Sequence, residues 1–149
     1  MIRILVDASP IDAGAEAERL EQGEGAGALA TFTGLVRADD GVELLELEHY
    51  PGATQAALHA LAEEAVRRWT LAAVTVVHRV GPMRPGERIV FVGTAAAHRG
   101  AALDACAFLI DRLKTDAPFW KRETRGADRR WVEPRGGDDA AAARWSVPD

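Results

Sequence analysis

Apolar residues recur along the chain in two distinct rhythms, and the changes between them divide it into elements. IRILV (2–6) is a short, nearly unbroken apolar run and reads as a strand. Asp12 stands where a helix N-cap belongs, before AGAEAERLEQ, and Gly23, Gly25 and Gly27 end that helix. ALATFTGLVR (28–37) and VELLELEHY (42–50) read as strands flanking the turn ADDG, and together they predict a long hairpin. In the second, Leu45, Leu47 and His49 alternate with Glu46, Glu48 and Tyr50, which gives it one polar side. PGATQAALHALAEEAVRRW (51–69) changes to helical spacing, with Ala57, Leu58, Leu61, Ala65 and Trp69 on one face.

AVTVVHRVG (73–81) is the next strand, PMRPGE (82–87) a proline-bounded turn, and RIVFVGTAAAH (88–98) a long buried strand. RGAALDACAFLIDRLKTDA (99–117) is a helix that Pro118 stops. FWKRET (119–124) and RRWVEP (129–134) form a last hairpin around RGAD, and GGDDAAAARW (136–145) predicts a short terminal helix. The order is β-α-β-β-α-β-β-α-β-β-α, with hairpins in place of a regular βαβ repeat. This predicts an α+β fold in a single domain over 1–149, with 136–149 a partly flexible tail.

Composition changes this picture little. Hydrophobic residues make up 48% and charged residues 28% of 149, an ordinary globular balance. No apolar run is long enough for a membrane helix and the first residues lack a signal-peptide pattern, so a cytoplasmic location with no membrane partner is expected. The net charge of −5 argues against nucleic-acid binding. One cysteine, Cys106, excludes an internal disulfide, and four scattered histidines give no metal-site spacing, so no metal is expected. Cys106 sits on an apolar helical stripe and reads as an inert core thiol.

Charge is nevertheless uneven. Residues 112–135 hold eight basic residues against Asp116, Glu123, Asp128 and Glu133. That excess points either to a local anion site or to a solvated basic face. Lys114 and Lys121 are the only lysines; the other sixteen basic residues are arginine. Leu103, Cys106, Ala107, Ile110 and Lys114 step by three or four, which predicts Lys114 at the end of the apolar stripe. In FWKRE, Phe119, Lys121 and Glu123 share one face, and a turn at Ala117–Pro118 can return Lys121 towards Lys114. Two amines in one site each favour the neutral form of the other, and a neutral amine is a base or nucleophile, which arginine cannot become. The alternative is that an arginine-rich chain keeps two lysines by accident of composition.

His98 and Arg99 in AAAHRG stand where a buried strand enters a helix, whose first N–H groups attract anions. A phosphate or carboxylate site and a plain polar cap both fit. Phe32 and Arg37 in TFTGLVR and Arg135 in VEPR carry little meaning alone. The chain has no dinucleotide, P-loop, nucleophile-elbow or paired-cysteine motif.

TFTGLVR, LELEHYPG, VTVVHRVG, GERIVFVG, AAHRGAAL, LKTDAPFWKRE and RWVEPR, in this order and spacing, closely resemble the MoaE family, the catalytic (large) subunits of molybdopterin synthase. The resemblance covers roughly residues 27–145. It implies an α/β hammerhead fold with an added antiparallel sheet. It implies an enzyme that converts cyclic pyranopterin monophosphate into molybdopterin by installing two sulfurs as a dithiolene. The sulfur arrives as a thiocarboxylate on the C-terminal Gly-Gly of a small ubiquitin-like partner, so no permanently bound cofactor is expected. The implied assembly is a homodimer with one small subunit at each end. The long apolar strand 88–97 is also more easily covered by association. By the same resemblance Lys114 meets the inserted tail and Lys121 acts beside the substrate as general acid/base or nucleophile. His98, Arg99, Arg37 and Arg135 bind anions, and Phe32 lies in the pocket wall. Leu35 departs from the family, where many relatives have lysine. The rival reading is a non-catalytic module that captures the tail of a ubiquitin-like protein.

Overall fold

The computed structural model describes residues 1–132 and 143–146. Two four-stranded sheets and three helices make up the described chain, in the order β1 (Ile2–Asp7), α1 (Ala13–Glu21), β2 (Ala28–Leu35), β3 (Leu44–His49), α2 (Ala53–Trp69), β4 (Ala73–Arg79), β5 (Gly81–Met83), β6 (Arg88–Ala96), α3 (Arg99–Asp116), β7 (Phe119–Arg125) and β8 (Asp128–Val132). The first sheet has the order β1-β4-β6-β2, with β1 parallel to β4 and the other pairs antiparallel. The second is wholly antiparallel, in the order β5-β3-β7-β8. This is the α+β architecture expected, built on two sheets.

Every residue of β4 is buried because both faces of the first sheet are covered. On one face Leu58, Leu61, Ala62 and Ala65 of α2 and Phe108 and Leu109 of α3 pack on Val74, Val76 and Val92. On the other, Leu20 of α1 packs with Ile11, Val77 and Phe91. Side chains alternate across a strand, so burial on both faces favours apolar residues such as Ala73, Val74, Val76 and Val77, although Thr75, His78 and Arg79 are buried with them. Gly93 is required there, because a Cβ would run into the side chain of Leu20. The Asp12 cap forms as predicted, its Oδ1 accepting from the Ala15 N–H at 3.0 Å.

Two expectations are corrected. Segments 28–37 and 42–50 are not a hairpin: β2 pairs with β6, whereas β3 pairs with β5 and β7 in the other sheet. The intervening turn redirects the chain. Asp40 and Gly41 both take positive φ, 57° and 75°, and Val36 is zipped to the 86–87 backbone by N–H···O bonds of 2.9 and 2.8 Å. Val36 and Val42 are buried, so the link is anchored by its own apolar residues. The second correction concerns 82–87, read as a turn throughout. Gly81–Met83 forms the short strand β5, which pairs with Leu45–Leu47, and Met83 is fully buried against Leu45 and Leu47.

The predicted terminal helix falls largely outside the described residues. Within 143–146, Trp145 packs edge-on against Trp69 and Phe108, and its Nε1 donates to Asp111 at 2.6 Å.

Candidate functional site

The β6–α3 junction carries the first cluster. The strand ends at Ala96, and His98 takes an extended conformation (φ −132°, ψ 155°) as the N-cap of α3, with no side-chain cap bond. The unbonded N–H groups of the first turn and the helix dipole therefore face outward beside an exposed imidazole and guanidinium. An open cleft of about 670 Å³ lies against them, lined by Gly27, Ala28, Ala97, His98, Arg99 and Gly100. Gly27 donates to the Ala96 carbonyl at 2.8 Å, and a Cβ on Gly27 would collide with the Ala97 carbonyl. The absence of a side chain at Gly27 thus keeps the cleft floor close to the helix terminus. His98 and Arg99 were legible in the sequence; Gly27 and Ala28 were missed, since glycine before a strand reads only as a helix stop.

The second cluster surrounds the Pro118 turn. Lys114 lies in the last turn of α3, exposed, one residue beyond buried Leu113. The stripe 103-106-107-110-114 is therefore not the buried one. Ala102, Ala105, Cys106, Phe108, Leu109 and Leu113 are buried, whereas Leu103 is 59% exposed. The reason is that α3 packs on α2 as well as on β2 and β6, which rotates its core face away from the expected stripe. Ala107 and Ile110 are left half-buried at the margin.

After α3 the chain turns at Ala117 and Pro118, and the Pro118 carbonyl accepts from Thr54 Oγ1 at 2.9 Å. Thr54 Oγ1 in turn accepts from the Tyr50 N–H at 3.0 Å. β7 then pairs with β3, setting Phe119 opposite His49 and Lys121 opposite Leu47. Phe119 and Lys121 share one face of this sheet, as predicted. On that face the Phe119 ring stacks on His78 of β4, 4.1 Å between centroids at 23°. Lys121 is exposed, and its charge reaches the His78 ring.

Carboxylates meet the arginines around β7 on both of its faces and on α3. Arg122 and Arg129 bind Glu46 at 2.7 and 3.0 Å, and their hydrogen bonds hold its carboxyl below the ordinary range. Arg112 binds Glu64 and Asp116, Arg125 binds Glu123, and Arg130 binds Asp128. The arginine excess of 112–135 is thus engaged largely by carboxylates, as in the solvated-face reading.

Phe32, 37% exposed, and Arg37, paired with Asp39 at 3.3 Å, lie on and just beyond the edge strand β2 and do not line the cleft. Leu35, 55% exposed, follows a register shift at Gly34. Arg135 lies outside the described residues. Cys106 is buried and its thiol is pushed up to about 11 by burial, which removes it as a nucleophile at neutral pH. Among the described residues no group of three or more His, Cys, Asp or Glu could hold a metal.

The two clusters stand apart within one chain. At 1.5 Å per residue, Arg99 and Lys114 are separated by roughly 22 Å along α3. A small phosphate ester cannot bridge that distance.

Residues 6–116 match the family model described as MoaE protein. The molybdopterin synthase catalytic subunit of Cereibacter sphaeroides is 50% identical over 146 residues, covering 97% of this chain and all of that one. The molybdopterin synthase catalytic subunit of Escherichia coli K12 is 49% identical over 146 residues, covering 96% of this chain and 97% of its own. Among solved structures, the molybdopterin biosynthesis MoaE protein of Burkholderia ambifaria superposes with a TM-score of 0.86 at 49% identity, covering 99% of this chain and 100% of that one. Molybdopterin synthase from Staphylococcus aureus superposes at 0.78 with 30% identity, covering 88% of this chain and 96% of that one.

Proposed function

This chain belongs to the MoaE family, and from that premise we infer that it is the sulfur-transferring, catalytic partner in molybdopterin synthase. It converts cyclic pyranopterin monophosphate into the dithiolene of molybdopterin. Near-full-length identity to enzymes of that name supports the activity. The structure supplies the chemical rationale. Its sole cysteine is a buried, un-ionised thiol, so this chain has no sulfur nucleophile of its own to offer. We place the sulfur donor on the C-terminal Gly-Gly thiocarboxylate of a small ubiquitin-like subunit, with no resident cofactor.

The observation that carries the assignment of roles is the Pro118 turn. It is pinned at its carbonyl by Thr54 and at its exit by the His78–Phe119 stack, and it is flanked by the two lysines of the chain. Lys114 holds the anionic tail and Lys121 moves a proton at, or attacks, the reacting carbon. An ammonium can give up its proton, whereas a guanidinium cannot. His98, Arg99 and the first turn of α3 bind the substrate phosphate, and Arg37, Arg135 and Phe32 are assigned to the substrate by the family resemblance alone.

Because the phosphate cluster and the lysine cluster lie at opposite ends of α3, the reading requires two copies. A twofold axis near the middle of α3 brings the N-terminus of one helix towards the C-terminus of the other. Exposed Leu103 and half-buried Ala107 and Ile110 of α3 supply apolar surface for such a contact. The working assembly in this proposal is a homodimer with a small subunit at each end, in the cytoplasm.

The decisive experiment mixes the purified chain with thiocarboxylated small subunit and cyclic pyranopterin monophosphate and measures dithiolene formation. Product that depends on the thiocarboxylate is expected. Tight binding of the tail with no product would instead leave a non-catalytic capture module.

A further inference from the structure

His78 is the penultimate residue of β4 and only 6% exposed. Its Nδ1 lies 2.9 Å from the carbonyl oxygen of Arg79. A carbonyl only accepts, so Nδ1 carries the hydrogen and ties the ring to the backbone of its own strand. The ring is flat against Phe119, which belongs to the other sheet. Phe119 directly follows Pro118 and precedes Lys121 by two residues, on the same face of β7. Its own N–H donates to the Ala117 carbonyl at 3.0 Å, so the stacked residue is also part of the turn. His78 is therefore the point at which the fully buried central strand β4 grips the segment that carries Lys121.

Burial holds the imidazole neutral, with a pKa lowered to about 4, and nearby Lys121 and His49 push in the same direction. A neutral ring suits this place. A second cation there would compete for the anionic tail and push Lys121 away, whereas a neutral, hydrogen-bonded ring fixes Phe119 without doing either.

We propose that His78 is a positioning residue for sulfur transfer, acting through its stack on Phe119 to set where β7 leaves the Pro118 turn and hence where the Lys121 amine stands against the substrate. The inference rests on the reading that Lys121 takes part in the reaction. A displacement of about 1 Å at a reacting group can cost on the order of a hundredfold in rate.

The test compares His78→Leu, His78→Phe, Phe119→Leu and Lys121→Arg in the full complex with thiocarboxylated small subunit. Steady-state kinetics on the cyclic pterin are measured together with calorimetric binding of the unmodified small subunit. His78→Leu removes the aromatic stack and is expected to lower kcat by about tenfold to a hundredfold. KM should stay within about twofold because the phosphate cluster is untouched, and so should the affinity for the small subunit because Lys114, assigned to its tail, is unaltered. His78→Phe keeps a ring on Phe119 and should recover most of the lost kcat. Phe119→Leu removes the same stack from the other sheet and should reproduce the His78→Leu profile, which keeps the test open if His78→Leu does not fold. Unchanged kcat in a folded His78→Leu or Phe119→Leu protein overturns the proposal, as does a rise in KM with kcat unaltered. If Lys121→Arg turns over at the normal rate, the underlying assignment of Lys121 fails. If Lys121→Arg is inactive while the stack variants are normal, only the role of His78 fails.

Discussion

Thr54 and Pro118, 64 positions apart, are joined by a hydrogen bond of 2.9 Å from the threonine hydroxyl to the proline carbonyl. The bond links the first turn of α2 to the bend between Lys114 and Lys121. Thr54 is fully buried, and the same oxygen accepts from the Tyr50 N–H. Thr54→Val keeps the shape and removes both bonds, leaving the Pro118 carbonyl and the Tyr50 N–H without this partner. Thermal or urea unfolding should show a loss of about 1–3 kcal/mol. Turnover should fall further than stability accounts for, because the bend holds both lysines. An unaltered kcat in the folded variant would show that the bend is set without Thr54.

Lys114→Arg and Lys121→Arg retain positive charge at both ends of the bend. Both proteins should fold and bind the small subunit normally. Each should lose on the order of a hundredfold or more in turnover if its amine transfers a proton or attacks carbon. Near-normal rates in both would mean that charge alone suffices.

Arg99→Ala removes a charged donor beside the helix N-terminus. Substrate binding should weaken by about 1.5–3 kcal/mol, read as a rise in KM or by calorimetry. The shared-site geometry gives a sharper outcome. Arg99→Ala and Lys121→Arg subunits, each impaired alone, should regain about a quarter of normal activity when mixed and re-associated. Half of the dimers then contain both kinds of subunit, and one site in each such dimer has both groups intact. No recovery on mixing would place both clusters of a site in one subunit.

His78 makes stability depend on pH in a defined window. Its folded pKa is lowered from 6.5 to about 4, so the unfolded chain binds a proton that the folded chain refuses. The associated stability is fully present above about pH 6.5 and is lost as pH falls towards 4. The loss reaches about 3 kcal/mol, since each pKa unit is worth about 1.4 kcal/mol. Denaturant titrations at pH 7, 5.5 and 4.5 should show this decline in the wild type. His78→Phe should flatten it between pH 6.5 and 4.5, while the carboxylates still titrate below. Equal slopes in both proteins would assign the acid sensitivity elsewhere.

Cys106→Ala should fold, bind the small subunit and turn over. The thiol is 5% exposed and packs within the main core, so the cost is about 1 kcal/mol of stability from the space left behind. Native protein should react with a thiol reagent only slowly, because burial keeps the thiol protonated. Loss of all activity in well-folded Cys106→Ala would revive a sulfur carried on this chain.

Periodicity and punctuation in the sequence determined most elements on their own, because those signals are local. Asp12 capping α1, Pro118 ending α3 and the alternation of β3 each act over a few residues. The candidate site residues stood out for a similar reason: two lysines among arginines and a His-Arg pair at a strand-to-helix junction are distinct by residue type. What the tertiary structure alone decided is pairing, facing and distance. β2 and β3 look like a hairpin from their spacing, yet two positive-φ residues and buried Val36 and Val42 send them to different sheets. Gly81–Met83 became a strand only because β3 presented a free edge. The core face of α3 is set by two neighbours at once, so a single three-four stripe misplaced it. His78 reads in sequence as one more buried strand residue. Its significance comes from Phe119, 41 positions later, which the sheet-to-sheet contact lays against its ring.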